Sequence, residues 1–100
     1  MAEGLLVFED FKDHLGTIFT PCDPGMPSLA LTLEEAALFP SRASPDGMRP
    51  PFSLLFIGAG DMVLPQATYR LRHDNMGEVA IFLVPIGKDQ RGVSYQAVFN

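Results

Sequence analysis

Gln66-Ala67-Thr68-Tyr69-Arg70-Leu71-Arg72 is the stretch of sequence that decides the fold. Its side chains alternate between apolar and polar, and a period of two is typical of a β-strand with one buried face and one face in water. The turn residues 74–77, Asp-Asn-Met-Gly, follow almost at once and indicate that the chain reverses. The stretch therefore predicts a strand of an antiparallel sheet.

The same alternation recurs on both sides of this stretch and predicts six strands in all. Two segments, 52–57 and 79–86, are apolar on both faces, which indicates strands covered from both sides. We take Phe56 and Phe82 as their core residues. Pro85 cannot donate a ladder hydrogen bond, so it must lie at an edge, a strand end or a bulge. The predicted strands are 17–22, 29–39, 52–57, 66–72, 79–86 and 93–99.

One short helix precedes the strands. Phe8, Phe11 and Leu15 recur at spacings of three and four, which predicts a helix over residues 8–15. Gly16 follows at the position where helices often end in a left-handed residue. The expected architecture is mainly β: a six-stranded antiparallel barrel or coiled sheet, with this N-terminal helix capping an open end.

Length and composition favour one domain over residues 1–100. The chain has 100 residues, of which 47% are hydrophobic, and a chain of this size can bury a core without covalent staples. Cys22 is the only cysteine, which suits a reducing compartment. The sequence shows neither a signal peptide nor an apolar run of spanning length, so we expect a cytoplasmic protein without a membrane partner.

Residues 40–51 form the longest irregular segment. They contain four prolines and an Asp46-Gly47 turn dipeptide. Loops of this length are either functional or inert connectors, and the small polar residues favour a connector.

The charge distribution argues against a nucleic-acid partner. The formal net charge is −5, and Arg70 and Arg72 are the only basic residues that stand close together, whereas phosphate binding needs a basic cluster. These two arginines and Gln66 form the one polar stripe with chemical character. Together with Arg49 they are the candidate interaction surface. The alternative is a solvated strand face with salt bridges to Glu or Asp.

No catalytic, cofactor or metal site is predicted. His14 and His73 have no further ligands at suitable spacing. Cys22 would need a histidine within hydrogen-bond reach to act as a nucleophile. The loop 58–60, Gly-Ala-Gly, has no third glycine and no following helix, so we interpret it as a turn. The carboxylate pairs 9–10 and 34–35 show no sign of a shared pocket.

Several strings of the sequence together resemble one known family. They are 49–56 (Arg-Pro-Pro-Phe-Ser-Leu-Leu-Phe), 64–66 (Leu-Pro-Gln), 69–71 (Tyr-Arg-Leu), His73, 76–77 (Met-Gly), 81–87 (Ile-Phe-Leu-Val-Pro-Ile-Gly) and 95–100 (Tyr-Gln-Ala-Val-Phe-Asn). In these strings the chain resembles bacterial single-domain proteins of the uncharacterised DUF6916 type, over residues 11–100. The resemblance brings no assigned activity, ligand or catalytic residue. It implies an assembly role, because such proteins occur beside phage-tail collar-like proteins.

These observations give two functional hypotheses. The first is a non-enzymatic protein-binding or assembly module of a bacterial or phage-tail-like system, acting on a protein partner or as a homo-oligomer. The second is a small-molecule carrier or minor enzyme, because the many aromatic residues could line a pocket at the barrel mouth.

Overall fold

The structure of the protein is a computed structural model that describes residues 6–39 and 51–99. It is mainly β, as predicted, with one short helix near the N-terminus. Apart from Pro51, the predicted connector 40–51 lies outside the described residues. The elements are α1 (Phe8–Lys12), β1 (Ile18–Pro21), β2 (Leu31–Leu38), β3 (Phe52–Gly58), β4 (Ala67–His73), β5 (Gly77–Asp89) and β6 (Gly92–Phe99).

The six strands form a closed ring in the order β1-β2-β3-β6-β5-β4, and every neighbouring pair is antiparallel. The ladders differ in length. Seven residue pairs join β3 to β6 and seven join β4 to β5, whereas two pairs join β1 to β2 and two join β1 to β4. The ring is therefore closed through its shortest strand.

Two strands change partners along their length, and this is how the ring bends. The first half of β5 pairs with β4, up to Leu83, and its second half pairs with β6, from Val84 onward. In β1, Phe19 pairs with β2, whereas Thr20 pairs with β4. Strands that pass from one sheet to another in this way form the corners of closed β structures. A register shift directly after Pro85 marks a bulge, one of the three positions predicted for this proline.

The helix covers one end of the ring, as predicted, but it is shorter than the sequence suggested. It ends at Lys12 instead of residue 15, and the chain then turns into Gly16, which has a φ of +83°. Phe11 is fully buried and packs at centroid distances of about 6 Å against Phe19 and Phe52. Leu15, predicted on the same face, is 49% exposed because it lies in the turn beyond the last helical residue.

Inward-facing side chains fill the interior of the ring. Phe11 lies at one end, and every strand contributes at least one side chain. The alternation predicted for 66–72 and 93–99 is observed, since Tyr69, Leu71, Tyr95 and Ala97 are buried. The largest side chains with less than 2% exposure are Tyr95, Phe11, Phe19, Phe52, Phe56, Leu31, Leu33, Leu54, Leu71, Ile81, Leu83 and Val93.

The prediction that Phe82 is a core residue is wrong. Ile81 and Leu83 point inward, and Phe82 is 46% exposed on the outer face opposite Thr68. Segment 79–86 is apolar on both faces, so its composition does not show which set of alternate residues faces the interior.

Gly92 opens β6 at a point where two backbones approach closely. Its φ is +135°, and a Cβ at this position would lie 2.0 Å from the carbonyl oxygen of Gly58. Both the backbone conformation and the space therefore require glycine. The contact joins the end of β3 to the start of β6, beside the tight turn of the β5–β6 hairpin.

Alanine substitution of Phe56 and of Phe82 tests which of the two side chains faces the interior. Phe56→Ala should lower the free energy of unfolding by about 3–5 kcal/mol, because a fully buried ring is lost. Phe82→Ala should lower it by at most about 1 kcal/mol, because the ring is half exposed. Urea unfolding followed by fluorescence or circular dichroism measures both. Equal losses in the two variants would contradict the assigned faces.

Gly92→Ala should destabilise the protein by about 2 kcal/mol or more, through backbone strain and the clash with Gly58. Gly87→Ala is the matched control in the same hairpin, since a Cβ there meets nothing within 4 Å and its φ is not positive. The control should change stability by no more than about 0.5 kcal/mol. Thermal unfolding of the two variants side by side makes the comparison.

Candidate functional site

The polar stripe predicted on residues 66–72 lies on the outer face of β4, and its arginines are paired. The Arg72 guanidinium donates to Glu78 Oε2 at 2.8 Å, across the β4–β5 ladder. Arg70 Nε lies 3.9 Å from Glu78 Oε1 and 3.9 Å from Asp23 Oδ1. The cross-strand salt bridges that the sequence offered as the alternative are therefore present. Their presence leaves the interaction role of the two arginines as a prediction.

The electrostatics of this group agree with its geometry. The hydrogen bond from Arg72 lowers the pKa of Glu78 and raises the pKa of Arg72. Both side chains are largely exposed, so the pair is screened by solvent and contributes little to stability. Gln66 is exposed just before β4, at the end of the same stripe. Arg49, the fourth predicted surface residue, lies outside the described residues.

An apolar patch lies beside this stripe on the outer face, and sequence reasoning missed it. Its members surround Gln96 of β6: Leu55 and Val84 pair directly with Gln96, Val98 lies two residues further along β6, and Phe82 lies two residues from Val84. Alternate residues of a strand share a face and lie about 7 Å apart. We call Leu55, Phe82, Val84 and Val98 the outer patch.

The outer patch is apolar and accessible. Phe82 is 46% and Val98 45% exposed, while Leu55 and Val84 are half-buried. Polar residues border it on both sides, with Thr68 opposite Phe82 and Glu35 opposite Leu55. Contiguous exposed apolar surface with a polar border is typical of protein interfaces, whereas single exposed apolar residues are ordinary.

A second cluster joins the two histidines, which sequence reasoning kept apart. The rings of His14 and His73 have centroids 4.7 Å apart, and the His73 ring also packs on Phe19 at 4.4 Å. His73 is 4% exposed. Nothing in the local sequence shows this pairing, because His14 follows the helix and His73 ends β4.

An open pocket adjoins this cluster and has a volume of about 380 Å³. Thr17, Ile18, His73, Asp74 and Asn75 line it. His73 contributes no free nitrogen to the pocket, because both ring nitrogens have hydrogen-bond partners within the protein. His73 therefore presents no general base to the pocket, and Asp74 is the one carboxylate among the lining residues.

The other candidates for chemistry lie apart from one another. Cys22 is unpaired, and its thiol donates to the carbonyl oxygen of Arg70 at 3.5 Å. Over residues 6–39 and 51–99, no group of three or more His, Cys, Asp or Glu side chains could hold a metal ion. No helix in the same part of the chain has the length and hydropathy required to cross a membrane.

Comparison with known proteins found one family. A family model described as "Domain of unknown function (DUF6916)" matches residues 6–99, which includes every described strand. Searches of curated proteins and of solved structures each found no significant match. The family description assigns no activity.

Arg72→Ala should leave the stability of the fold nearly unchanged, because the Arg72–Glu78 pair is exposed. The double variant Arg72→Ala with Glu78→Ala should be equally stable, which tests for hidden coupling between the two residues. Urea unfolding at low and high salt measures both variants. A large loss that high salt does not reduce would show that the pair has a structural role.

Proposed function

The chain belongs to the DUF6916 family, and we propose that it is a non-enzymatic protein-binding module that engages its partner through the outer patch. The observation that carries the proposal is the exposure of Phe82 and Val98 on the outer face of two neighbouring strands, β5 and β6. In the described ring every strand has a neighbour on each side, which leaves the outer faces for recognition.

The outer patch has the anatomy expected of an interface. It consists of one aromatic and three branched aliphatic residues around Gln96, and the polar stripe of β4 lies along one side. Arginines at the border of an apolar centre are frequent in protein interfaces. Because Arg70 and Arg72 are paired with acidic side chains, they would orient the partner and would add little to the affinity.

The proposal includes a cellular setting and excludes nucleic acid as a partner. We propose a bacterial cytoplasmic protein, which the single unpaired cysteine and the assembly role implied by the family resemblance support. Nucleic acid is an unsuitable partner because the two neighbouring arginines already contact Glu78 and Asp23. No step of the proposed function needs a cofactor.

The alternative of a small-molecule carrier has weaker support. The described interior is occupied by large side chains, so the feature that favours a ligand is the open pocket beside His73. A thermal-shift screen against metabolites and nucleotides distinguishes the two functions, because a ligand held only by the folded state raises the melting temperature. A reproducible shift would favour the carrier.

Phe82→Asp should abolish partner binding without unfolding the strand ring, because it replaces the one aromatic member of the outer patch by a charge. Val63→Asp is the matched control, since Val63 is similarly exposed, at 51%, in the loop after β3. Light scattering after size exclusion shows self-association, and cross-linking in native extract followed by mass spectrometry identifies other partners. A partner or dimer that is retained by Val63→Asp and lost by Phe82→Asp is the expected result.

Two results would overturn the proposal. One is a monomer that captures no macromolecule specifically in native extract. The other is a specific partner that Phe82→Asp binds as well as the unmodified protein does. Circular dichroism of both variants verifies that each retains its strands.

A further inference from the structure

His73 is the one buried residue of polar type over residues 6–39 and 51–99, the tyrosines apart, and it lies where three segments meet. It ends β4, and its ring packs on Phe19 of β1 and on His14 in the turn after α1. The β4–β5 turn wraps its remaining side. Because the imidazole is buried there, its two nitrogens need hydrogen-bond partners within the protein.

The hydrogen bonds of this ring fix which nitrogen carries the proton. Nδ1 accepts from the backbone N–H groups of Asn75, at 3.0 Å, and Met76, at 3.2 Å. The Thr17 hydroxyl donates its proton to the carbonyl oxygen of His14 and can therefore only accept from Nε2, which lies 2.9 Å away. The ring is thus neutral, with its proton on Nε2.

A second proton would have to be placed on Nδ1, and this nitrogen faces two donors. Protonation converts it from an acceptor into a donor, so both bonds to the turn are lost and the N–H groups of Asn75 and Met76 face a positive charge. The bond to Thr17 can persist in either state, because Nε2 donates in both. Protonation therefore acts first on the β4–β5 turn.

The imidazole of His73 also lies next to the β1–β4 contact, one of the two shortest ladders that close the strand ring. Thr20 pairs with Arg72 and Pro21 with Leu71 between β1 and β4, and the backbone hydrogen bond from Cys22 N–H to the Arg70 carbonyl oxygen extends the contact. Arg72 directly precedes His73. Phe19, which packs on the histidine ring, directly precedes Thr20. A displacement of the His73 imidazole therefore moves residues on both strands of the β1–β4 contact.

We propose that His73 is an acid-sensitive latch: uptake of a proton at Nδ1 releases the β4–β5 turn and opens the β1–β4 closure before the other ladders open. This conformational device goes beyond the proposed protein-binding function and does not depend on it. The proton comes from solvent through the adjoining open pocket, which His73 and Asn75 both line.

The surroundings of the His73 imidazole determine how stability depends on pH. Burial, and next the Coulombic effect of His14, lower the pKa of His73, while Asp74 in the β4–β5 turn raises it. Thr17 and Phe19, on the β1 side, are uncharged. The folded state therefore binds this proton less readily than the unfolded state does. The stability that neutral His73 contributes is fully present above its ordinary pKa of 6.5, and it is lost as the pH falls from 6.5 towards the lowered pKa of the folded state.

Amide hydrogen exchange of the full chain tests the latch directly. Protection factors are compared at about pH 7.5 and about pH 5, after correction for the intrinsic exchange rate. The expected result is a loss of protection at acid pH in residues 17–22 and 73–77, with the β3–β6 ladder still protected. Protection that is unchanged in these two segments, or that is lost from all ladders together, would overturn the proposal.

Two variants separate the titration of His73 from its packing. His73→Asn retains an oxygen acceptor for the turn N–H groups but does not titrate, so acid should no longer open the closure selectively. His14→Asn removes the Coulombic effect that lowers the pKa of His73, so the opening should be retained with its midpoint moved to higher pH. An acid response retained unchanged by His73→Asn would assign the effect to another group and overturn the proposal.

The unmodified protein supplies an independent test if His73→Asn does not fold. Nitrogen-15 NMR of the imidazole should show Nδ1 without a proton at neutral pH, and the midpoint of its protonation should coincide with that of the opening of residues 73–77. A proton on Nδ1 at neutral pH, or two different midpoints, would contradict the latch.

Discussion

The burial of Phe11 against Phe19 and Phe52 is the constraint on which the rest of the structure depends. A closed ring of short strands leaves an opening at each end, and large side chains must fill it before the strands can close around a dry interior. The ring of Phe11 also packs on Phe99 at 5.9 Å, so one helical residue contacts β1, β3 and β6 together. The five-residue helix is too short to be stable alone, and this packing holds it in place.

Strand pairing is extensive in one part of the closed ring and sparse in another, so the two parts differ in local stability. The strands β2, β3 and β6 pair over most of their lengths and surround fully buried apolar side chains. The short β1 instead divides its few backbone groups between β2 and β4, and the interior beside it contains His73. Local openings begin where a structure has few ladder bonds and few apolar contacts, which places the least stable region at β1.

The antiparallel fold could be predicted from the sequence because its signal is local. In 66–72 and 93–99 polar and apolar residues alternate, so composition alone shows which face is buried. Phe82 was misplaced because its strand is apolar on both faces, and the choice between them is made by partner strands distant in sequence. The outer patch was missed for the same reason. The contact between His14 and His73 depends on how the ring closes, which no local pattern contains.

The outer patch and the His73 latch should act independently, because they lie on different parts of the ring. The patch is formed by β3, β6 and β5, whose mutual ladders lie outside the β1–β4 closure. Thr68, on β4, pairs with Phe82 at the far end of the strand from His73, and the intervening β4–β5 pairs remain when the turn at 74–76 moves. Protonation of His73 could change partner binding at the patch only if the whole β4–β5 ladder opened as a unit. Four residue pairs of the β4–β5 ladder lie between Thr68–Phe82 and His73–Gly77, and they separate the latch from the patch.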